Sequence, residues 1–317
     1  MANLRLERAN LLGFRSHADL VLSNNMSETA DAVYELMDQL WPSALEMAKK
    51  DRDALSEMMK NDGVEGDFRG SDWRYYVDKI RTKRYNFNED ETRPYFEFNA
   101  VREGAFMLAD KLFGLHFKLL DDAPKCHEDQ QVYEVLEADG THVGVLYMDF
   151  FTRESKRGGA WMNELREQSN IDEFITPIVT NNFNLPPHTK DTPSLLSFTE
   201  AQTLFHEFGH ALHGLLSNVK YGSLSGTNVP RDFVEFPSQV MENWMSEPEV
   251  LKLYAKHYQT GEVISDELIE KMNEANAFNG GFGTTEAMAA AYLDMAWHTI
   301  EDYELKEANA FEADEMA

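Results

Sequence analysis

Along most of this chain the apolar residues recur at the spacing of helical faces. Across residues 27–41, Val33, Leu36, Met37, Leu40 and Trp41 share one stripe. Pro42 lacks an amide proton and is expected to end or kink that helix. A second helix is read over 42–60, closed by Asn61-Asp62-Gly63, and 73–84 and 101–113 repeat the pattern. Residues 1–125 therefore read as a helical part, whose methionine and aromatic stripes are those of a packed core.

The period then changes. Residues 132–136 and 143–150 are rich in strand formers and flank Asp139-Gly140, a pair that supplies the backbone of a tight hairpin turn. A further strand is expected over 175–184, giving a small sheet within 131–184. The stretch 184–197, with Pro186, Pro187 and Pro193, is a polar connection. Beyond it Leu204, Phe205, Phe208, Ala211, Leu212, Leu215 and Leu216 return to helical spacing, and Thr199 with Gln202 reads as a capping box, so a helix is expected over 199–217. Residues 218–230, with Gly222 and Gly226, read as a loop. Residues 232–258 follow as another helix disturbed by Pro237, then 266–278. Gly280-Gly281-Phe282-Gly283 has no following Lys-Ser/Thr, so it reads as a turn or hinge before a last helix at 285–299. The fold class is mainly α with a small β-sheet. Residues 126–317 form a second part, or continue one domain with the first.

Composition narrows the partners. The chain has 317 residues, 43% of them hydrophobic, enough for one large core or two domains. Its formal charge of -27 repels phosphate backbones, which argues against a nucleic-acid partner. The single cysteine, Cys126, rules out an internal disulfide and lacks metal-ligand spacing. Charges interrupt the first twenty residues, so no secretory signal is read there, and no apolar run reaches the ~18 residues of a membrane span. A cytoplasmic protein with no membrane partner is the expectation.

The candidate chemistry lies in His206-Glu207-Phe208-Gly209-His210. Two imidazoles at i, i+4 are offset by ~6 Å of rise and ~40° of rotation, so both rings can converge on one ion. Glu207 then stands beside the ion without binding it. The pattern is that of zinc peptidases, in which the glutamate is the general base. A catalytic zinc keeps three protein ligands and one open position. His213 lies ~10 Å up the same helix, too far to share an ion bonded at ~2 Å. The longer motif with a third histidine needs Gly at 213 and His at 216, where this chain has His213 and Leu216. A carboxylate from a second helix remains, and Asp232, Glu235 and Glu242 all compete on spacing. Glu235 is the choice, although Asp232-x-x-Glu235 also fits a capping role. An acid that does not ligate would suit the far nitrogen of a ligating histidine.

The run from His206 through His213, then Gly226-Thr227-Asn228-Val229, Asp232-Phe233-Val234-Glu235-Phe236-Pro237-Ser238-Gln239 and Glu242-Asn243-Trp244, closely resembles the thimet oligopeptidase family of zinc metallopeptidases, in its peptidyl-dipeptidase and oligopeptidase A branch. Gly144 to Asp149, Arg153, Lys156 to Ala160 and Asn182-Phe183-Asn184 also resemble that family's central region. The resemblance implies a zincin-like helical core with His206, His210 and Glu235 as ligands of one Zn2+ and Glu207 as base. It also implies short peptides as substrates. Family members are roughly twice this long and carry a tyrosine-rich C-terminal loop of the type G-Y-x-A-x-Y-Y, which has no counterpart after Trp297 and His298. A fragment without its full substrate clamp is therefore expected.

Three functions compete. The first is a zinc peptidase, cutting internally or removing C-terminal dipeptides. The second is a zinc-binding but catalytically incomplete chain. The third is a helical interaction protein with a fortuitous motif, which metal-free protein after purification without chelator would favour.

Overall fold

A computed structural model describes residues 1–303 and 307–316. The helices are α1 (Ala2–Leu11), α2 (His17–Leu22), α3 (Ala30–Asn61), α4 (Gly70–Tyr85), α5 (Phe98–Phe113), α6 (Phe198–Leu215), α7 (Phe236–Ser246), α8 (Pro248–Tyr254), α9 (Asp266–Ala277), α10 (Gly280–His298) and α11 (Ala308–Glu315). The strands are β1 (His116–Leu119), β2 (Gln131–Leu136), β3 (His142–Phe151), β4 (Trp161–Arg166), β5 (Ser169–Asn170), β6 (Phe174–Ile175) and β7 (Ile178–Leu185). The architecture is mainly α with a small mixed sheet. Backbone contacts define two compact units, residues 1–87 with 271–317 and residues 88–270, where the sequence suggests a division at 125/126.

In the first unit the long helix α3 departs from the expected break. Thr29 caps it by accepting from the Ala32 amide, and Pro42 lies inside it without ending it. Both sides of the proline share one core, because Met37 and Ala44 pack with Met288 and Met295 of α10. That burial offsets a proline cost of ~3 kcal/mol. The expected stripe is only half right. Met37 is buried and Val33 and Trp41 are half-buried, but Leu36 and Leu40 are exposed. The Gly280–Gly283 stretch is another correction, since it is the first turn of α10 and not a hinge before residue 285. A Cβ on Gly281 would lie 2.6 Å from Met47 Cβ, so the glycine lets α10 lie directly against α3. Asn279 enters the helix at φ 73° and accepts from Trp73 Nε1, and Trp73 stacks on Phe282 at 4.0 Å.

In the second unit the hairpin forms where Asp139-Gly140 predicts it. Gly140 takes φ 87°, and the Thr141 amide donates to Asp139 Oδ1. β2 and β3 pair antiparallel through this turn, and the sheet order is β1-β2-β3-β7-β4. The strand expected at 175–184 is divided, with Pro177 between β6 and β7. β7 runs parallel to β3, and β4 closes the far edge antiparallel to β7. One face of the central strands is apolar: Leu146, Met148 and Phe150 of β3 and Val179 and Phe183 of β7 are fully buried. Asn181 faces α6, as its amide donates to the Glu207 carbonyl. The expected helix over 232–258 is two, α7 and α8, separated at Glu247-Pro248. Pro237 does not disturb α7 but sits in its first turn, where the missing amide proton costs nothing.

Candidate metal centre

Helix α6 begins one step earlier than the sequence suggests. The capping box is Ser197 with Glu200, in place of Thr199 with Gln202: Ser197 Oγ accepts from the Glu200 amide at 3.1 Å and Glu200 Oε2 from the Ser197 amide at 2.7 Å. Leu204, Phe205, Phe208, Ala211, Leu212 and Leu215 are buried, which fixes the rotation of the helix. His206 and His210 then emerge side by side, their rings 4.9 Å apart.

The crossing of α7 over α6 occurs at Gly209. A Cβ there would stand 2.6 Å from Ser238 Cα and 2.8 Å from Pro237 O, so only glycine permits the approach. This contact carries Glu235, the residue before α7, to the histidine pair. Glu235 Oε2 lies 3.3 Å from His206 Nε2 and 3.1 Å from His210 Nε2, and the three ligand atoms fall within 4.8 Å of one another. Ser238 is fully buried and donates from Oγ to Glu235 Oε2 at 3.0 Å, orienting the carboxylate. Asp232 is exposed and lies outside the cluster, as does His213.

Glu242 takes the outer position. Its Oε1 is 2.5 Å from His206 Nδ1, and its Oε2 accepts from Gln202 Nε2 at 2.8 Å. With Glu242 beside Nδ1, His206 turns Nε2 toward the Glu235 carboxylate oxygen 3.3 Å away. A divalent cation between these atoms would be shared by both. Ligands ~2.0–2.1 Å from a tetrahedral zinc stand ~3.3 Å apart, so the measured separations match the edges of such a polyhedron. The donor set therefore fits a divalent ion of the zinc type.

Glu207 is 6% exposed, and its Oε2 has no hydrogen-bond partner within the described protein. Burial raises its pKa to about 7, against the opposing pull of His206 and with a smaller push from Glu235. Burial also lowers the pKa of His210, partly countered by Glu235, which favours the neutral ring that a metal needs. Beside these groups a cavity of about 510 Å³ runs between α6, α7 and the end of α5, walled by Leu212, Leu216, Phe236, Val240 and Trp244, with His213 among its few polar groups.

The sequence reading omits Gly209, Ser238, Gln202 and Asn181 from the site. Of these only Gly209 carries a local signal, a helix-weakening residue in the middle of a strongly helical, buried run.

A helix bearing two adjacent histidines, packed on a small mixed sheet and crossed by a helix that delivers a carboxylate, defines a zincin-like metallopeptidase fold. Comparison with known proteins agrees: the model of peptidase family M3 matches residues 1–316, and the chain belongs to that family. It is 39% identical over 316 residues to the dipeptidyl carboxypeptidase of Escherichia coli K12, covering 98% of this chain and 46% of that protein. It is 33% identical to the oligopeptidase A of the same strain, covering 93% of this chain and 44% of the relative. Saccharolysin of Saccharomyces cerevisiae is 30% identical, at 94% and 44% coverage. The chain thus spans less than half the length of these relatives.

Proposed function

We propose that this chain carries the zinc centre of a peptidase that hydrolyses short peptides, either as an oligopeptidase or by removing C-terminal dipeptides. The observation that carries the reading is the meeting of Glu235 Oε2 with both imidazole Nε2 atoms beside the buried Glu207. His206, His210 and Glu235 would hold one Zn2+, which supplies Lewis acidity toward the peptide carbonyl and lowers the pKa of water from ~15.7 toward ~7. Glu207 is the general base in this reading. It takes the proton of the attacking water and returns it to the departing amine, a role suited to a carboxyl that burial holds near neutrality. Glu242 fixes the His206 tautomer and Ser238 the carboxylate rotamer.

The apolar cavity beside α7 suits an apolar side chain of such a peptide. The relatives named as dipeptidyl carboxypeptidase and oligopeptidase A motivate the substrate class. A cytoplasmic location belongs to the same proposal, alongside the finding that no described helix is long and apolar enough to cross a membrane. The experiment is hydrolysis of a quenched-fluorescent peptide by zinc-loaded protein and by Glu207→Gln. Retained metal with activity lost by about three powers of ten supports the role, and parent-like turnover removes it.

A second reading follows from the 46% span against the first relative: a chain that holds zinc but needs a further segment to grip substrate. Stoichiometric metal with negligible turnover would favour it.

A further inference from the structure

The face of the sheet turned away from α6 bears a second cavity, of about 760 Å³. The strand alternation that buries Leu146, Met148 and Phe150 under α6 turns Tyr147 and Asp149 to this side, and register with β7 and β4 adds Thr180, Asn182 and Trp161. Four cations line it, Lys125, Arg153, Lys156 and Arg157, against one acid, Asp149. In a chain of formal charge -27 that concentration of positive charge needs a reason.

Asp149 does not exhaust it. The carboxylate is 3% exposed and already saturated: Arg153 Nη1 and Nη2 donate to its two oxygens at 2.6 and 2.5 Å, and Lys156 Nζ donates to Oδ1 at 3.0 Å. Lys156 spends its other donors on the carbonyls of Asp149 and Phe151. This buried triad is neutralised by one charge and holds two, so it projects a net positive field into the cavity. Asp129 acts on Arg153 from farther off. Arg157 lies with its guanidinium 4.4 Å from the Trp161 ring centroid. That stacking fixes the plane of the group while its N–H edge makes no hydrogen bond or ion pair among the described residues. Lys125 is likewise without an ion-pair partner there.

We propose that this cavity is an anion site, taking a phosphate or carboxylate group that Arg157 binds through its N–H edge, with Lys125 as second donor and the Arg153–Lys156 pair as fixed background charge. A stacked, planar guanidinium is pre-organised for a two-oxygen anion, and the volume leaves room for an organic body behind the charged group. The occupant is either a free anion or an acidic side chain of a bound peptide; the second source rests on the proposed function, and the first does not.

Titrating the full chain with inorganic phosphate at constant ionic strength, followed by calorimetry, tests the site without any need for turnover. The expected result is saturable binding that Arg157→Ala and Lys125→Ala each weaken by roughly tenfold, the loss of one charge-assisted hydrogen bond, with zinc content unchanged. Arg157→Lys should recover part of it. Hydrolysis of peptide pairs differing by Glu against Gln then separates the sources: a KM preference for Glu that disappears in Arg157→Ala assigns the site to substrate, and an unchanged ratio alongside phosphate binding assigns it to a free anion. Absence of both saturable phosphate binding and an Arg157-dependent Glu preference overturns the proposal.

Discussion

Single atoms decide whether the centre works. Replacing Glu242 by Ala leaves His206 Nδ1 without its acceptor at 2.5 Å, so zinc affinity should drop by about 10–100-fold while the fold persists, as measured by competition with a chromogenic chelator. His210→Ala should abolish both metal and hydrolysis, whereas Glu207→Gln should keep the metal. The closeness of the two rings is legible in the sequence because their relation is local, one helical turn. Glu235 was not separable from Asp232 and Glu242 by spacing, since the choice depends on where a second helix crosses the first. The structure gives the three acids different surroundings: Glu235 faces both rings, Glu242 faces the far nitrogen of one, and Asp232 lies on the surface. Ser197 with Glu200 and Thr199 with Gln202 both match the capping pattern in sequence. Only the backbone geometry distinguishes them.

At the scale of elements, two glycines set the close helix contacts. Gly209→Ala would force a methyl to within 2.6 Å of Ser238 Cα, prising α7 from α6. The expected outcome is a stability loss of about 1–3 kcal/mol by urea denaturation together with weaker zinc binding, because Glu235 moves with α7. Gly281→Ala, clashing with Met47 Cβ at the same 2.6 Å, should cost a similar amount but leave zinc affinity untouched, since it lies outside the unit that holds the centre. Equal zinc loss in both variants would show that the crossing at Gly209 has no special role. The hairpin was legible because Asp139-Gly140 specifies its own turn. Pro42 and the Gly280–Gly283 run misled because local breaking tendencies were outweighed by packing of α3 on α10, a contact between segments more than two hundred residues apart.

For the whole molecule, charge governs the response to pH. Asp149 has a folded pKa below its ordinary value: burial alone would raise it, and the hydrogen bonds and charges of Arg153 and Lys156 outweigh that. A depressed carboxylate contributes stability above its unfolded pKa, and that contribution is lost as pH falls through the folded value, so the chain should weaken in acid below about pH 4 and Asp149→Asn should flatten the decline. Glu164 acts in the opposite sense. Its oxygens are buried, and burial, with the nearby Glu167, raises its pKa from 4.5 to about 7 against a smaller opposing pull from the Thr227 backbone. Its favourable share is present below pH 4.5 and is lost as pH rises through 7, so Glu164→Gln should gain stability at pH 8 relative to pH 5. Urea midpoints at pH 5 and 8 check the sign for Glu164, and midpoints at about pH 3 and 5 check that for Asp149. The overall negative charge was legible from composition. The basic cavity behind the sheet was not, because Lys125 and the Arg153–Arg157 run meet only through strand register.

Zinc K-edge absorption on protein reconstituted with one equivalent of metal, compared with Glu235→Ala, bears on the coordination set itself. One tightly held zinc with two imidazole nitrogens and a carboxylate oxygen at ~2.0–2.2 Å, the oxygen lost and affinity reduced in the variant, is the expected result. A spectrum and affinity identical in Glu235→Ala, or no stoichiometric zinc in the parent, would contradict it.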